Sequence, residues 1–304
     1  MLDDEMYPKV AVLLAAYNGL KYLPEQLESI YGQDGVQVNV YLSVDASNDG
    51  TEKYIASLAV ERDDVRHLEF GSKFGGAAKN FFHLLESVDF SEYDYIALAD
   101  QDDIWESDKL KRGISKLKES SASGYSSNVM AFWEDGREVI VEKSQPQVEY
   151  DYLFEAAGPG CTYIMDLSLA CEIQQFIKKH NNSVKSIDLH DWFIYAYARS
   201  SKRKWFIDSY SGMRYRQHGG NQVGANNSLL AAKRRWGLIK TKWYYGEIVK
   251  ISTLLNMSTE PFIRTCLFGG YMGAVYLALH VNKVRRRTRD RWALALVCLL
   301  GVFS

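Results

Sequence analysis

Tyr95-Ile-Ala-Leu-Ala-Asp-Gln-Asp-Asp-Ile-Trp105 is an apolar run that stops abruptly in three aspartates, Asp100, Asp102 and Asp103. The run reads as a buried strand, with the aspartates at its carboxyl end. Carboxylates this close repel one another and need a counter-charge or a shared proton. A divalent cation supplies that charge, because hard cations take oxygen ligands and keep positions open for phosphates. Open α/β sheets bind ligands in the crevice beyond the carboxyl ends of their strands, which is where this cluster falls. An acidic surface turn would carry the same residues, so the reading depends on their surroundings.

Upstream, strand and helix signals alternate. Val10–Ala15, Val38–Val44 and Val65–Phe70 are apolar runs of strand length, and Tyr93–Ala99 is the fourth. Between them lie helical stretches at about 21–31, at Thr51–Ala59 and at Ala77–Val88, with Leu23, Leu27 and Ile30 on one face of the first. Pro24 suits a first helical turn, and Asp49 or Thr51 a helix N-cap. Repeated β-α-β units imply a mostly parallel α/β sheet covered by helices. Further on, strands are expected near Asn128–Trp133, Glu138–Val141, Trp205–Ile207 and Met213–Tyr215. A polar loop is expected around Glu142–Gln147, and helices over Leu167–Lys179 and from about Asp188 through Tyr197.

Three of the strands end in chemically loaded turns. The first runs into Ala15-Ala-Tyr17-Asn-Gly19, the second into Asp45-Ala-Ser-Asn-Asp49, the fourth into the aspartate cluster. A parallel sheet gathers such ends on one rim. Asp45 there could accept the N3–H of a pyrimidine, a contact that a purine would not reproduce; turn-making is its plainer role.

Together these segments resemble glycosyltransferase family 2, the inverting enzymes of GT-A fold that use nucleotide-sugar donors. The carriers are Leu13-Leu-Ala-Ala-Tyr-Asn18, Val44-Asp-Ala-Ser-Asn-Asp-Gly-Thr51, the loose echo Lys73-Phe-Gly-Gly-Ala-Ala-Lys-Asn80, and Asp100-Gln-Asp102. Ala46 and Ser47 stand where the family more often has Asp and Gly. Within the family, Ala99–Trp105, Gly158-Pro-Gly-Cys161, Leu189-His-Asp-Trp192 and Tyr215–Gln222 are similar to bacterial rhamnosyltransferases. The resemblance implies a donor site made of Ala15, Tyr17, Asp45, Lys79, Asp100 and Gln101, with Asp102 and His218 holding Mn2+ or Mg2+. Asp191 is implied as the base, with His190 replacing the family's glutamate. Gly160, His190 and Trp192 are expected on the acceptor side, Trp192 as a flat face for a sugar or else as core. Arg214 and Arg216 are candidates for clamping phosphate, or are solvated at a strand edge.

The implied reaction is transfer of a sugar, L-rhamnose from dTDP-L-rhamnose, to a lipid-linked saccharide in cell-wall or capsular polysaccharide assembly. A UDP-hexose or UDP-N-acetylhexosamine donor is the alternative within the same mechanism. A nucleotidyltransferase would open with a glycine-rich basic loop, which Tyr17-Asn-Gly19 is not. A non-catalytic membrane scaffold leaves the aspartates at the strand ends unexplained.

Charge divides the chain. From residue 228 onward there are 13 Lys/Arg and 3 Asp/Glu, against 23 and 35 in the rest. Domains are therefore expected at 1–227, with halves near 1–105 and 106–227, and at 228–304 as a basic helical extension. The apolar stretches Leu267–Val281 and Trp292–Phe303 fall short of the roughly 20 residues that span a bilayer. Lys283-Val-Arg-Arg-Arg-Thr-Arg-Asp-Arg291 lies between them, a pattern that favours an anionic membrane surface, although a soluble helical bundle would also fit. Basic residues interleaved with apolar runs argue against nucleic acid. The four cysteines match no metal or disulfide spacing, and the acidic start lacks the features of a signal peptide. The expectation is a cytoplasmic protein, peripheral on the inner face of the cell membrane; whether it pairs as a homodimer the sequence leaves open.

Overall fold

The computed structural model describes residues 7–218 and 241–303. The expected alternation is present: β1 (Lys9–Ala16), α1 (Leu23–Tyr31), β2 (Gln37–Val44), α2 (Thr51–Glu61), β3 (Val65–His67), α3 (Ala77–Ser87) and β4 (Tyr95–Asp100). β1 pairs in parallel with both β2 and β4, so the carboxyl ends of all three lie side by side: Ala16 is level with Val44, and Ala15 with Asp100. The cause is local. Eight residues of β1 include seven that are buried, a run that only a strand covered on both faces can carry.

The second half extends this sheet with both antiparallel and parallel pairings. It contains β5 (Ile104–Trp105), α4 (Lys109–Ser120), β6 (Gly124–Trp133), β7 (Glu138–Val141), β8 (Ile164–Asp166), α5 (Leu167–Lys179), α6 (Asn181–Val184), α7 (His190–Ser200) and β9 (Trp205–Gln217). The sheet order is β3-β2-β1-β4-β8-β6-β9-β5, with β7 on β6. One apolar layer lies under α1, α2 and α4; the other lies under α3, α5 and α7.

Several local expectations change. Residues 205–207 and 213–215 belong to one strand, whose register against β6 shifts around Asn128. The third strand stops at His67 rather than Phe70. Helix α4 was not foreseen: its lysines disguise a buried stripe of Leu110, Gly113, Ile114 and Leu117. At the start of α2 the cap position is Gly50, at φ 96°, and Asp49 acts from one residue earlier, accepting the Thr51 N–H at 3.0 Å.

The C-terminal part forms α8 (Trp243–Leu254), α9 (Pro261–Phe268), α10 (Gly270–Leu279) and α11 (Thr288–Leu299). Ile248, Ile263, Leu277 and Cys298 from these helices join the same apolar layer as Phe81, Ile173 and Phe193. A buried polar joint adds to this packing: Arg286 meets Asp151 at 3.4 Å, with the two side chains 1% and 0% exposed. Arg199 also pairs with Asp151 at 3.2 Å, and the Tyr195 hydroxyl donates to it at 2.8 Å. The boundary expected at 227/228 lies outside the described residues.

Candidate active site

The carboxyl ends of β1, β2 and β4 open onto a cavity of about 1050 Å³. Ala15, Tyr17, Asp45, Asp100, Gln101 and Asp102 all line it, and so do Gly160, His190 and Asp191 from the second half. The rim is braced by backbone contacts. Gln101 accepts the Tyr17 N–H at 2.7 Å and returns a bond to the Tyr17 carbonyl at 2.9 Å, tying β1 to β4. A Cβ at Gly19 would lie 2.2 Å from Gln101 Oε1, so this brace requires glycine there. The Asp45 carboxylate accepts the N–H groups of Phe74 at 3.1 Å and Gly75 at 2.8 Å. That holds the 73–76 turn at the cavity wall and leaves each carboxylate oxygen a second lone pair.

In the aspartate cluster the two expected metal residues meet: His218 Nε2 is 2.6 Å from Asp102 Oδ2. Burial, and then the charge of Asp102, pushes the Asp100 carboxyl above its ordinary range. Asp103 is 1% exposed and does not face the cavity. Behind it stands Lys109, also buried, its ammonium 3.4 Å from the centre of the Trp105 ring. Burial pulls Lys109 down to about 7, opposed by its electrostatic interaction with Cys161 and Asp103. The ligand atoms of Asp100, Asp103 and Cys161 lie within 4.8 Å of one another. This rear trio suits a hard cation poorly, because Cys161 is fully buried and burial holds its thiol far above its ordinary range. The front set, Asp100 and Asp102 at the cavity with His218 against Asp102, offers oxygen and imidazole donors of the kind that Mn2+ or Mg2+ takes.

On the other wall, Asp191 stands in the first turn of α7 and accepts the Trp192 N–H at 2.7 Å. Burial raises its carboxyl to about 6, so that it can exchange a proton near neutrality. His190 stacks on Phe81 with ring centres 4.0 Å apart. Burial pushes its imidazole down to about 3, so it is neutral, and its Nε2 has no hydrogen-bond partner. A Cβ at Gly160 would lie 2.4 Å from that Nε2, so glycine permits the close approach of the Gly158–Gly160 turn.

Four sequence-based placements change. Trp192 is not an acceptor platform: it is 3% exposed, donates to the Tyr152 carbonyl at 3.0 Å and belongs to the core, because α7 turns that face inward. Arg214 does not reach the cavity; it pairs with Glu138 at 2.6 Å, on the far side of the β6–β9 ribbon. Arg216 donates to the Asp102 carbonyl at 2.8 Å and pairs with Glu25 at 2.5 Å, a brace behind the aspartate turn rather than a cavity-lining cation. Lys79 is exposed on α3 outside the cavity, and Lys73, on the turn before α3, lines it instead.

Comparison with known proteins decides what this arrangement belongs to. The family model for Glycosyl transferase family 2 matches residues 11–160. A dTDP-rhamnosyl transferase, RfbG of Shigella flexneri, is 42% identical over 291 residues, covering 95% of this chain and 100% of the relative. The chain belongs to glycosyltransferase family 2. This glycosyltransferase also shares its fold with solved structures. S. aureus TarS 1-349, in complex with UDP-GlcNAc, aligns with TM-score 0.54 at 15% identity, over 97% of this chain and 89% of that one. A mannosyltransferase from Pyrobaculum calidifontis, in complex with GDP-Man and Mn2+, aligns with TM-score 0.53 at 13% identity, over 98% and 86%. The α/β architecture is therefore GT-A.

Sequence reasoning missed other cavity residues of the glycosyltransferase. Asn80, 2% exposed, donates to the Ser43 carbonyl at 3.0 Å and leaves its Oδ1 without a partner. Tyr215 lines the cavity from β9. Lys143, Arg285, Arg287 and Arg289 line it from a segment read as loop and from one read as membrane-facing. No motif marks them, since only the packing of the C-terminal helices brings them to the site.

Proposed function

We propose that this enzyme transfers L-rhamnose, with inversion, from dTDP-L-rhamnose to a hydroxyl of a lipid-linked saccharide in cell-wall or capsular polysaccharide assembly. The observation that carries the reading is 42% identity to a dTDP-rhamnosyl transferase along that relative's whole length. The cavity supports it chemically. Asp45, anchored by two backbone amides, keeps acceptor capacity toward a pyrimidine N3–H. Asp191 takes the proton from the acceptor hydroxyl as its oxygen bonds to the anomeric carbon, while the bond to the leaving dTDP breaks on the opposite face. Neutral His190 and the Gly158–Gly160 turn shape the wall beside that base. Asp100 and Asp102, with His218, would hold Mn2+ or Mg2+, whose charge offsets that of the departing diphosphate.

A UDP-hexose or UDP-N-acetylhexosamine donor is the second reading, favoured by a UDP-Glc-using glucosyltransferase of Escherichia coli, WfgD, that is 22% identical over 170 residues, 55% of this chain and 63% of the relative. Nucleoside diphosphate release from a panel of sugar nucleotides, with Mn2+, Mg2+ or EDTA, separates the two. Metal-dependent release of dTDP from dTDP-rhamnose alone is expected; release from a UDP-sugar alone would overturn the rhamnose assignment.

The enzyme is read as peripheral on the inner face of the cell membrane. Among the described residues no helix is long and apolar enough to cross a membrane. Yet Met272, Leu279 and Trp292 on α10 and α11 are 72%, 74% and 74% exposed, close in sequence to Lys283, Arg287, Arg289 and Arg291. Apolar side chains beside cations suit an anionic headgroup layer. Co-sedimentation with phosphatidylglycerol vesicles but not phosphatidylcholine vesicles is expected, and no sedimentation with either would remove this reading.

A further inference from the structure

The cavity is larger than the carboxyl-end rim of β1, β2 and β4. It continues along the 155–160 segment to residues near the start of α11, including Arg287 and Arg289. That continuation is built by specific bonds. Arg285 donates to the Phe154 carbonyl at 2.8 Å, and Arg286 to the Ala156 carbonyl at 2.6 Å and, through its N–H, to Glu155 at 2.7 Å. The segment after Arg286 is thereby pinned beside the turn that carries Gly160 past His190 and Asp191. Lys143, just after β7, stands beside the same turn, with its Cβ 3.8 Å from where a Cβ on Gly158 would be. Its position is fixed by Asn128, whose Oδ1 accepts the Lys143 N–H at 2.6 Å and the Ser144 N–H at 3.1 Å.

The charges at this end are unevenly spoken for. Glu155 is taken by Arg285 and Arg286, and Asp290 by Arg285 and Arg289. Lys143 and Arg287 remain, and among the described residues neither side chain makes a hydrogen bond or ion pair. Burial lowers the Lys143 pKa, opposed at a distance by the carboxylates of Glu155 and Asp191, and no hydrogen-bonded partner offsets its lost hydration. A side chain left this way is stabilised by an anion. Just past Arg287, the outer surface turns apolar: Trp292, Leu296 and Leu299 of α11 are 74%, 58% and 50% exposed, and Leu279 of α10 is 74% exposed. Cations inside the cavity and an exposed apolar face on the helix that leads away from it match the two ends of a phosphorylated lipid.

We propose that this end of the cavity binds the diphosphate joining the acceptor sugar to its lipid, with Lys143 and Arg287 as its cationic ligands and the exposed faces of α10 and α11 against the hydrocarbon. The proposal rests on the reading that the acceptor is lipid-linked. It makes the C-terminal helices part of the substrate site as well as an anchor. It also sets the acceptor's reach, because the diphosphate held here fixes which sugar hydroxyl arrives at Asp191.

The test uses the full chain saturated with dTDP and Mg2+, so that the donor diphosphate position is filled, and farnesyl diphosphate as the probe in titration calorimetry. Farnesyl diphosphate is expected to bind, farnesol not to bind, and inorganic pyrophosphate to bind at least tenfold more weakly than farnesyl diphosphate. Lys143→Gln and Arg287→Gln should each weaken farnesyl diphosphate about tenfold, the loss of one charge-assisted contact, and Lys143→Arg should recover most of it. Titration of dTDP into nucleotide-free samples of the same variants reports that each variant is folded. No binding of farnesyl diphosphate to the dTDP-loaded protein, or unchanged affinity in both glutamine variants, would overturn the site. Equal affinity for pyrophosphate and farnesyl diphosphate would overturn the lipid assignment in favour of free phosphate. Failure of dTDP itself to bind would strike the donor reading instead, and the two failures are read in separate titrations.

Discussion

Asp191→Asn should give a protein that is less active and more stable. The substitution keeps the shape and the oxygen that accepts the Trp192 N–H at 2.7 Å, but removes the proton acceptor. Burial raises the Asp191 carboxyl from 3.8 to about 6, roughly two units at about 1.4 kcal/mol each. Because the side chain is only partly buried, screening trims the cost of its ionised form to about 2 kcal/mol. The sign follows from linkage: the folded carboxyl holds its proton more tightly than the unfolded one, so the penalty is complete above about pH 6 and vanishes below about pH 4. The asparagine variant should therefore unfold about 4–6 °C higher than the parent at pH 7.5, with the gap closing toward pH 4. Acceptor-dependent release of dTDP should fall about 10²–10⁴-fold, the usual contribution of a positioned base, while dTDP affinity stays unchanged. In the parent, kcat/KM should drop tenfold per pH unit below about pH 6. Transfer within tenfold of the parent, or loss of transfer accompanied by a lower melting temperature, would refute the assignment of Asp191 as a partly buried, poised base.

Three further outcomes follow from the same geometry. Asp102→Asn should lose metal-stimulated donor hydrolysis by about 10²–10³-fold with its circular dichroism unchanged, because it weakens both the cation site and the His218 contact; equal stimulation by Mn2+ in both proteins would contradict it. Gly160→Ala places a Cβ 2.4 Å from His190 Nε2 and should cost about 1–3 kcal/mol in urea unfolding, with a marked loss of transfer; parental stability and activity would show that the turn is not tightly set. Arg286→Gln leaves a fully buried Asp151 with Arg199 as its one remaining cation and the Tyr195 hydroxyl as its other donor, so a loss of about 3 kcal/mol is expected, and an unchanged urea midpoint would mean that the C-terminal helices are not welded to the catalytic sheet.

Much of this could be read along the chain, because the relevant signals are local. A run such as Val10–Ala16 cannot be anything but a doubly covered strand, and polar residues that end such runs must fall on one rim when the strands are parallel. Asp45, Asp100, Asp102 and Tyr17 reach the cavity for that reason. Helix α4 escaped notice because its lysines dominate its composition while its apolar stripe is only four residues deep.

What the linear order could not decide is which way a side chain faces once its element has neighbours on two sides. Trp192 and Asp191 are adjacent, yet one packs into the core and the other lines the cavity, because α7 lies against both Phe81 and the sheet. Arg214 and Arg216 alternate on a strand, but Glu138 and Glu25, brought there by other elements, decide what each one meets. The sequence by itself determined the family, the sheet and the aspartate rim, since those rest on periodicity and on residues close together in the chain. Only the tertiary structure brought Lys143 and Arg287 to one cavity, because that neighbourhood is made by the buried Arg286–Asp151 joint between distant segments.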